Sequence, residues 1–443
     1  MAYWIVIACT ALVELYLLRR LRFDWFIVSL VLMGMLVNMN YLAYTSIYER
    51  NYDGPSHVLY IDEIAQHHRL PPVSIFCTAC GHPPLYYALA ALWSKVVLPG
   101  DFIPREQGLQ WLSLLLSFGF VVFALLLLRV TIGRPVIMRL AAALVIFWPS
   151  GIISSVRVHN DALASTLMIA SMYFIFQWDL QGRRRAFYWA VAATALALLT
   201  KSSGYTMAVT LVAMAALRLV STRFSSQSIK QCAAAVLVLC CTALFAVSFR
   251  VSTHQRVLCQ KVLGNACDFP GEVYGVSKPS NYVHFDLPAF VRHDSSIAYP
   301  RNQDYFWNGL AQSSLFGAMP LGKDFASETH KRLEVCLRLL LLAMVAVCVV
   351  ALPFIRSARW WRYRAIIGAT ASMFILLVAF HYLVPNPYHA DFRHVFPVLV
   401  PLCLLYAKVV ERLRRWSHLL YKAGLVIGFL MVASSVAFFV RVR

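Results

Sequence analysis

The chain has 443 residues, 60% of them hydrophobic and only 14% charged, with a formal net charge of +20. Its mean hydropathy of +0.65 excludes an ordinary soluble domain and places it among polytopic membrane proteins. The positive charge does not mark a nucleic-acid binder, because no basic stripe with interleaved aromatics occurs outside a few short connectors.

A helix crosses the hydrocarbon core with about 20 apolar residues, and about twelve segments meet that length. They fall near 3–18, 25–45, 104–128, 139–157, 160–178, 186–200, 204–220, 231–249, 333–355, 365–384, 393–409 and 421–440. Continuous apolar runs predict helices, since a membrane barrel alternates. The expected fold class is thus an all-α polytopic membrane protein. The first segment has no basic region before it and no small-residue cleavage site after it, so it reads as a span and not a cleaved signal.

Arginine and lysine concentrate in alternate connectors, at 19–22, 129–139, 183–185, 218–230, 356–364 and 412–422. The positive-inside rule puts these in the cytoplasm. Connectors 46–103, 157–161, 250–332 and 385–392 then face out. The segment 83–98 must not cross, or every later basic cluster would flip. It reads as a re-entrant or juxtamembrane helix packed on protein.

This pattern divides the chain into three parts. Residues 1–249 form an N-terminal membrane module with a polar first outer loop at 46–103. Residues 250–332 form a small extracytoplasmic cap, rich in proline and aromatics, that reads either as a lid over a site or as a plain connector. Residues 333–443 supply the C-terminal helices. Seven of the eleven cysteines lie in spans. Cys77, Cys80, Cys259 and Cys267 fall in outer loops, where an even number predicts disulfides, within each pair or between loops.

The ionisable groups gather at the outer ends of the spans. Asp53, His57, Asp62, Glu63, His67, His68 and His82 lie in the first loop; Arg157, His159, Asn160 and Asp161 follow, then Lys201, then His389, Asp391, Arg393 and His394. Such groups at membrane depth are costly and are functional candidates by default. Asp53 can deprotonate an acceptor hydroxyl, or it can simply cap the helix that Pro55 begins. Asp62 and Glu63 are second candidates for the base, or solvated surface charges. Lys201, before a Ser-Ser-Gly turn, suits a phosphate, and otherwise snorkels to the headgroups. Asn160 and Asp161 can hold a sugar, order the first loop or cap the span after them. Only Glu14 lies well inside a span.

Taken in order, these residues resemble a known family. A span leads to an outward loop with Asp53 and His57, then His82-Pro-Pro-Leu-Tyr-Tyr87. Asn160-Asp-Ala-Leu163 and Leu199-Thr-Lys-Ser-Ser-Gly204 follow, and Arg393, His394, Pro397 and Pro401 open a late span. The pattern resembles the integral-membrane GT-C glycosyltransferases, nearest the protein-mannosyltransferase and aminoarabinose-transferase-like branch. It covers roughly 25–220 and 380–410. The resemblance implies a GT-C-like fold, a polyprenyl-phosphate sugar donor and inverting transfer to a glycan, lipid or protein acceptor outside the cytoplasm. It also implies Asp53 as base, with Lys201 and Arg393 near the lipid phosphate. His57, His82, Asn160, Asp161 and His394 would bind substrate. Some relatives hold a divalent metal through first-loop acids, and His57, His82 and the carboxylates can do so here. Two departures stand out: Gly54 replaces the acidic residue that often follows the base, and the span at 3–18 precedes the usual first one. Two other readings are an O-antigen-type ligase or polymerase, and a lipid-linked-sugar flippase. A flippase would place polar groups and broken helices near the midplane, whereas here they collect at one leaflet.

Overall fold

A computed structural model describes residues 12–47, 53–71, 77–96, 105–248, 278–293, 305–317, 321, 325–351, 358–383 and 387–440. Helices account for 86% of them. The elements are α1 (12–20), α2 (Trp25–Ala43), α3 (Gly54–His67), α4 (Leu85–Val96), α5 (Arg105–Thr131), α6 (Pro135–Ile146), α7 (Pro149–Ser155), α8 (Asp161–Gln181) and α9 (Arg184–Thr200). They continue with α10 (Tyr205–Ser221), α11 (Ser226–Ser248), α12 (Leu287–Arg292), α13 (Phe306–Phe316), α14 (Glu328–Ala351), α15 (Arg364–Leu383), α16 (Leu399–Leu413) and α17 (His418–Val440).

Among the described residues, nine helices are long and apolar enough to span a membrane, or ten when one bent pair counts as a single span. The chain is therefore a multi-pass integral membrane protein. Two of the twelve expected spans take another form, and a third lies partly outside the described residues. The expected span 139–157 is the bent pair, α6 and α7, which meet at 51°. Pro149 stands at the start of α7; it lacks an N–H and clashes with the preceding turn, so the helix breaks there. The expected span 186–200 is α9, which has 17 residues and falls just short of the usual length. The first, 3–18, is helical from residue 12, and residues 3–11 lie outside the described part.

The expected span 393–409 also differs at its start. Residues Phe392–Val398 form a 3-10 stretch with Val395 out of helical geometry, and α16 begins only at Leu399. Pro397 cannot donate an amide hydrogen, which favours such a break. By contrast, α4 is as expected. At 12 residues it is too short to cross, and it packs against α3 and α5, with Trp93 Nε1 donating to Gly108 O at 2.9 Å.

Helix packing follows membrane rules, in which small residues allow close approach. A Cβ at Gly428 of α17 would come within 2.6 Å of Leu140 Cδ1 on α6. The basic connectors interlock at one end of the bundle. Arg134 pairs with Glu411 at 3.2 Å, and Arg364 forks onto Asp179. Asp24 caps α2 by accepting from Ile27 N at 2.9 Å. The opposite end carries the starts of α8, α10 and α16 and the ends of α2, α9 and α15.

Part of the expected cap is fastened to that same end. Trp148 Nε1 donates to Ser314 O of α13 at 2.6 Å, and Phe392 N donates to Ser313 Oγ at 2.9 Å. Within the cap, Asp286 and Asn308 exchange two hydrogen bonds of 2.9 and 2.7 Å. In the first loop, Cys77 and Cys80 form a disulfide, one of the expected pairings. Cys259 and Cys267 lie outside the described residues.

Candidate functional site

Four stretches distant in sequence meet at the end opposite the basic connectors. The first is α3. Its buried residues, Gly54, His57, Tyr60, Ile61 and Ala65, recur at helical spacing and form one inward face. Asp53 occupies the N-cap position of this helix, yet its side chain makes no capping hydrogen bond. The carboxylate instead reaches Arg393, with Nη2 3.8 Å from Oδ2. The capping alternative is therefore not realised.

His57 is buried one turn later. Its Nδ1 lies 2.8 Å from the Tyr87 hydroxyl, and its Nε2 has no hydrogen-bond partner among the described residues. Burial holds the Tyr87 phenol well above its usual range, with Tyr86 and Tyr60 adding to the effect. Burial also pushes the His57 imidazole well below the ordinary histidine value, and the neighbouring His159 and His82 push it the same way. His57 is thus a neutral ring at pH 7. The His82 ring lies parallel to it at 6.2 Å between centroids.

The second and third stretches meet at the start of α8 and the end of α9. The Lys201 ammonium is paired with Asp161 Oδ1, and His159 Nδ1 sits 2.8 Å from Asp161 Oδ2. His159 and Lys201 are buried, and Asp161 is 15% exposed. Lys201 does not snorkel; it is turned into the protein. Gly204 allows this turn, because a Cβ there would come 2.7 Å from the backbone carbon of Ala197. Asn160 makes no cap, and its Nδ2 donates to Thr200 O at 3.2 Å, tying α8 to α9.

The fourth stretch is the 3-10 turn before α16. Asp391 caps it, accepting from Arg393 N at 3.0 Å, and its Oδ2 lies 3.1 Å from Arg393 Nε. Arg393 therefore stands between Asp53 and Asp391. His394 lies beside Phe380 and His389, at 6.1 and 6.4 Å between ring centroids. Of the backup acids, Glu63 is bound by Arg69 at 2.6 Å on its own loop, and Asp62 is its half-buried neighbour.

Two members of the cluster received no role from the sequence. His159 lies 4.0 Å from His57 between ring centroids, and Tyr87 holds His57. The Asp161 backbone N–H also points at His159 Nδ1, at 3.1 Å. One ligand atom each from Asp53, His57 and His159 lie within 4.8 Å of one another. Two imidazoles and a carboxylate suit a divalent transition metal, and a His whose far nitrogen is held by a carboxylate or hydroxyl is the usual support for one. Among the described residues these form the group able to hold a cation. His82, which the resemblance also offered, is not among them.

No family model matches the sequence, and no curated protein matches it. Solved structures do show similarity. One is the oligosaccharyltransferase of Archaeoglobus fulgidus tethered with an acceptor peptide containing the NVT sequon. It has a TM-score of 0.50 and 12% identity over 94% of this chain and 55% of that one. The apo form of the same enzyme gives 0.48 and 13% over 95% and 56%. ArnT from Cupriavidus metallidurans bound to undecaprenyl phosphate gives 0.39 and 13% over 94% and 76%. The chain spans about half the length of the oligosaccharyltransferase. At these identities the likeness is one of fold alone.

Proposed function

We propose that the chain is a membrane glycosyltransferase that moves a sugar from a polyprenyl-phosphate donor to an acceptor hydroxyl, with inversion. The observation that carries this reading is the Asp53 carboxylate. It stands where a helix cap belongs, leaves the helix uncapped, and faces Arg393 beside two buried histidines. The GT-C-type fold adds support by analogy only, since folds host many activities.

In this reading the first loop supplies the base from within an N-terminal module, 1–249, and residues 250–332 cap the site. Asp53 takes the proton of the acceptor hydroxyl as that oxygen attacks the anomeric carbon. The bond from this carbon to the phosphate oxygen breaks on the opposite face, and the lipid phosphate leaves with the electron pair. Arg393 and Lys201 are the cations for that charge. Both are already fixed by carboxylates, Arg393 by Asp391 and Lys201 by Asp161, so little reorganisation is needed. His57, His82, Asn160, Asp161 and His394 shape the pocket. A divalent cation held by Asp53, His57 and His159 would supply further positive charge for the phosphate.

The acceptor is a glycan, a lipid or a protein. The basic connectors at the other end of the bundle support a site on the extracytoplasmic face. The test is a transfer assay with radiolabelled polyprenyl-phosphate sugars, followed by determination of the product's anomeric configuration. Transfer with inversion supports the reading. No transfer from any monophosphate donor would sink it.

A further inference from the structure

Ala371, Ile375 and Tyr382 of α15 are all exposed, and their spacing of four and seven residues puts them on one face of the helix. A spanning helix turns such a stripe toward lipid. Ile375 is 67% exposed and Tyr382 55%, and the apolar span ends at Tyr382. A tyrosine at that point stands where aromatic side chains collect in membrane proteins, at the level of the lipid headgroups.

The cap continues this surface. The Tyr282 ring packs edge-on against Tyr382, at 6.1 Å between centroids, and its hydroxyl lies 2.7 Å from Nδ1 of the buried His381. Trp307 Nε1 donates to Tyr282 O at 2.7 Å, which sets the indole beside it. The residues after Tyr282 include three apolar side chains turned outward: Val283 is 83% exposed, Phe285 38% and Leu287 49%. Large apolar side chains clustered on an exposed face mark an interaction surface. The one carboxylate among them, Asp286, is turned back to cap α12, accepting from Ala289 N at 2.8 Å. Lys278 and Arg292, exposed on either side of the segment, give the patch a cationic rim.

We propose that residues 282–287 and Trp307 lie in the headgroup layer of the leaflet at the site end of the bundle, so that the membrane itself holds the cap. The partner is lipid and not a second protein, because the patch is continuous with the lipid-facing stripe of α15 and starts at the depth where that stripe ends. An apolar centre with a basic rim matches the boundary between acyl chains and anionic headgroups. The part held in this way includes α13, whose Ser314 and Ser313 are bonded to Trp148 and to Phe392 of the turn before α16. None of this rests on the glycosyltransferase reading.

Photocrosslinking tests the proposal. Val283, Phe285 or Ile375 is replaced, one at a time, by p-benzoylphenylalanine in the full chain, which is placed in nanodiscs of phosphatidylethanolamine and phosphatidylglycerol. After irradiation the adducts are read by mass spectrometry of the intact protein and of its peptides. Ile375 reports contact with the bilayer. We expect phospholipid adducts at Val283 and Phe285 in a yield comparable with that at Ile375. Val283 is exposed enough for the replacement to leave the fold intact, and at Phe285 one aromatic ring replaces another. Lipid adducts at Ile375 with none at Val283 and Phe285 overturn the proposal. So do crosslinks from these two positions to another part of the chain, or to a second copy, in place of lipid.

Discussion

Arg393 reaches Asp53 at 3.8 Å while its Nε lies 3.1 Å from Asp391. One guanidinium thus joins the first loop to the break before α16. Only a planar fork of donors serves two carboxylates in fixed directions; an ammonium is a point charge on a flexible stem. Arg393→Ala should lower kcat/KM by about 10²–10³, the scale for removing a group that stabilises developing charge. Arg393→Lys should recover only part of that. Full activity in the lysine variant would show that charge alone is needed.

The Asp161–Lys201 pair has a different consequence. Lys201 is buried and Asp161 is only 15% exposed, so removing the lysine leaves the Asp161 carboxylate with His159 alone. Lys201→Met should destabilise the fold by about 3–5 kcal/mol, whereas the double variant Asp161→Leu, Lys201→Met should regain much of it. Denaturant unfolding in detergent measures both. A single variant as stable as wild type would mean that water reaches Asp161.

His57 sets a pH dependence. Its folded value is depressed by burial and by His159 and His82, so the folded state holds the neutral ring while the unfolded chain protonates near pH 6.5. Between those two values the unfolded state binds the extra proton, so stability rises with pH. The unfolding midpoint should be flat above about pH 7 and fall on acidification below about 6.5. His57→Gln should flatten that fall. An acid limb of equal slope in the variant would assign the proton to another group.

Much of the fold was legible because span length and charge bias are local properties. Runs such as Trp25–Ala43 and His418–Val440 are long enough to read directly. The break at Pro149 was not read as one, since a proline inside an apolar run marks a kink only when its neighbours are known. The site was legible as an inventory but not as a geometry. Asp53, Lys201 and Arg393 stand at the ends of spans, where polar residues draw notice. That Asp161 is the partner of Lys201 depends on how α8 packs against α9, and that His159 lies 4.0 Å from His57 depends on where the chain just before α8 meets α3. Tyr87 was legible only as the end of the His82–Tyr87 motif, and its bond to His57 has no counterpart in local pattern. Glu14 was visible as an isolated acid, but the cavity it shares with Asp161 exists only in the folded bundle.

The most direct measurement compares wild type with Asp53→Asn in the same radiolabelled transfer assay, with unfolding curves run beside it. The substitution keeps the side chain's size and removes the base. The account predicts transfer by wild type, a loss of about 10²–10⁴ in the variant, and unfolding shifted by no more than about 1 kcal/mol, since Asp53 caps nothing and its pairing with Arg393 is partly exposed. Equal transfer by both proteins would contradict it.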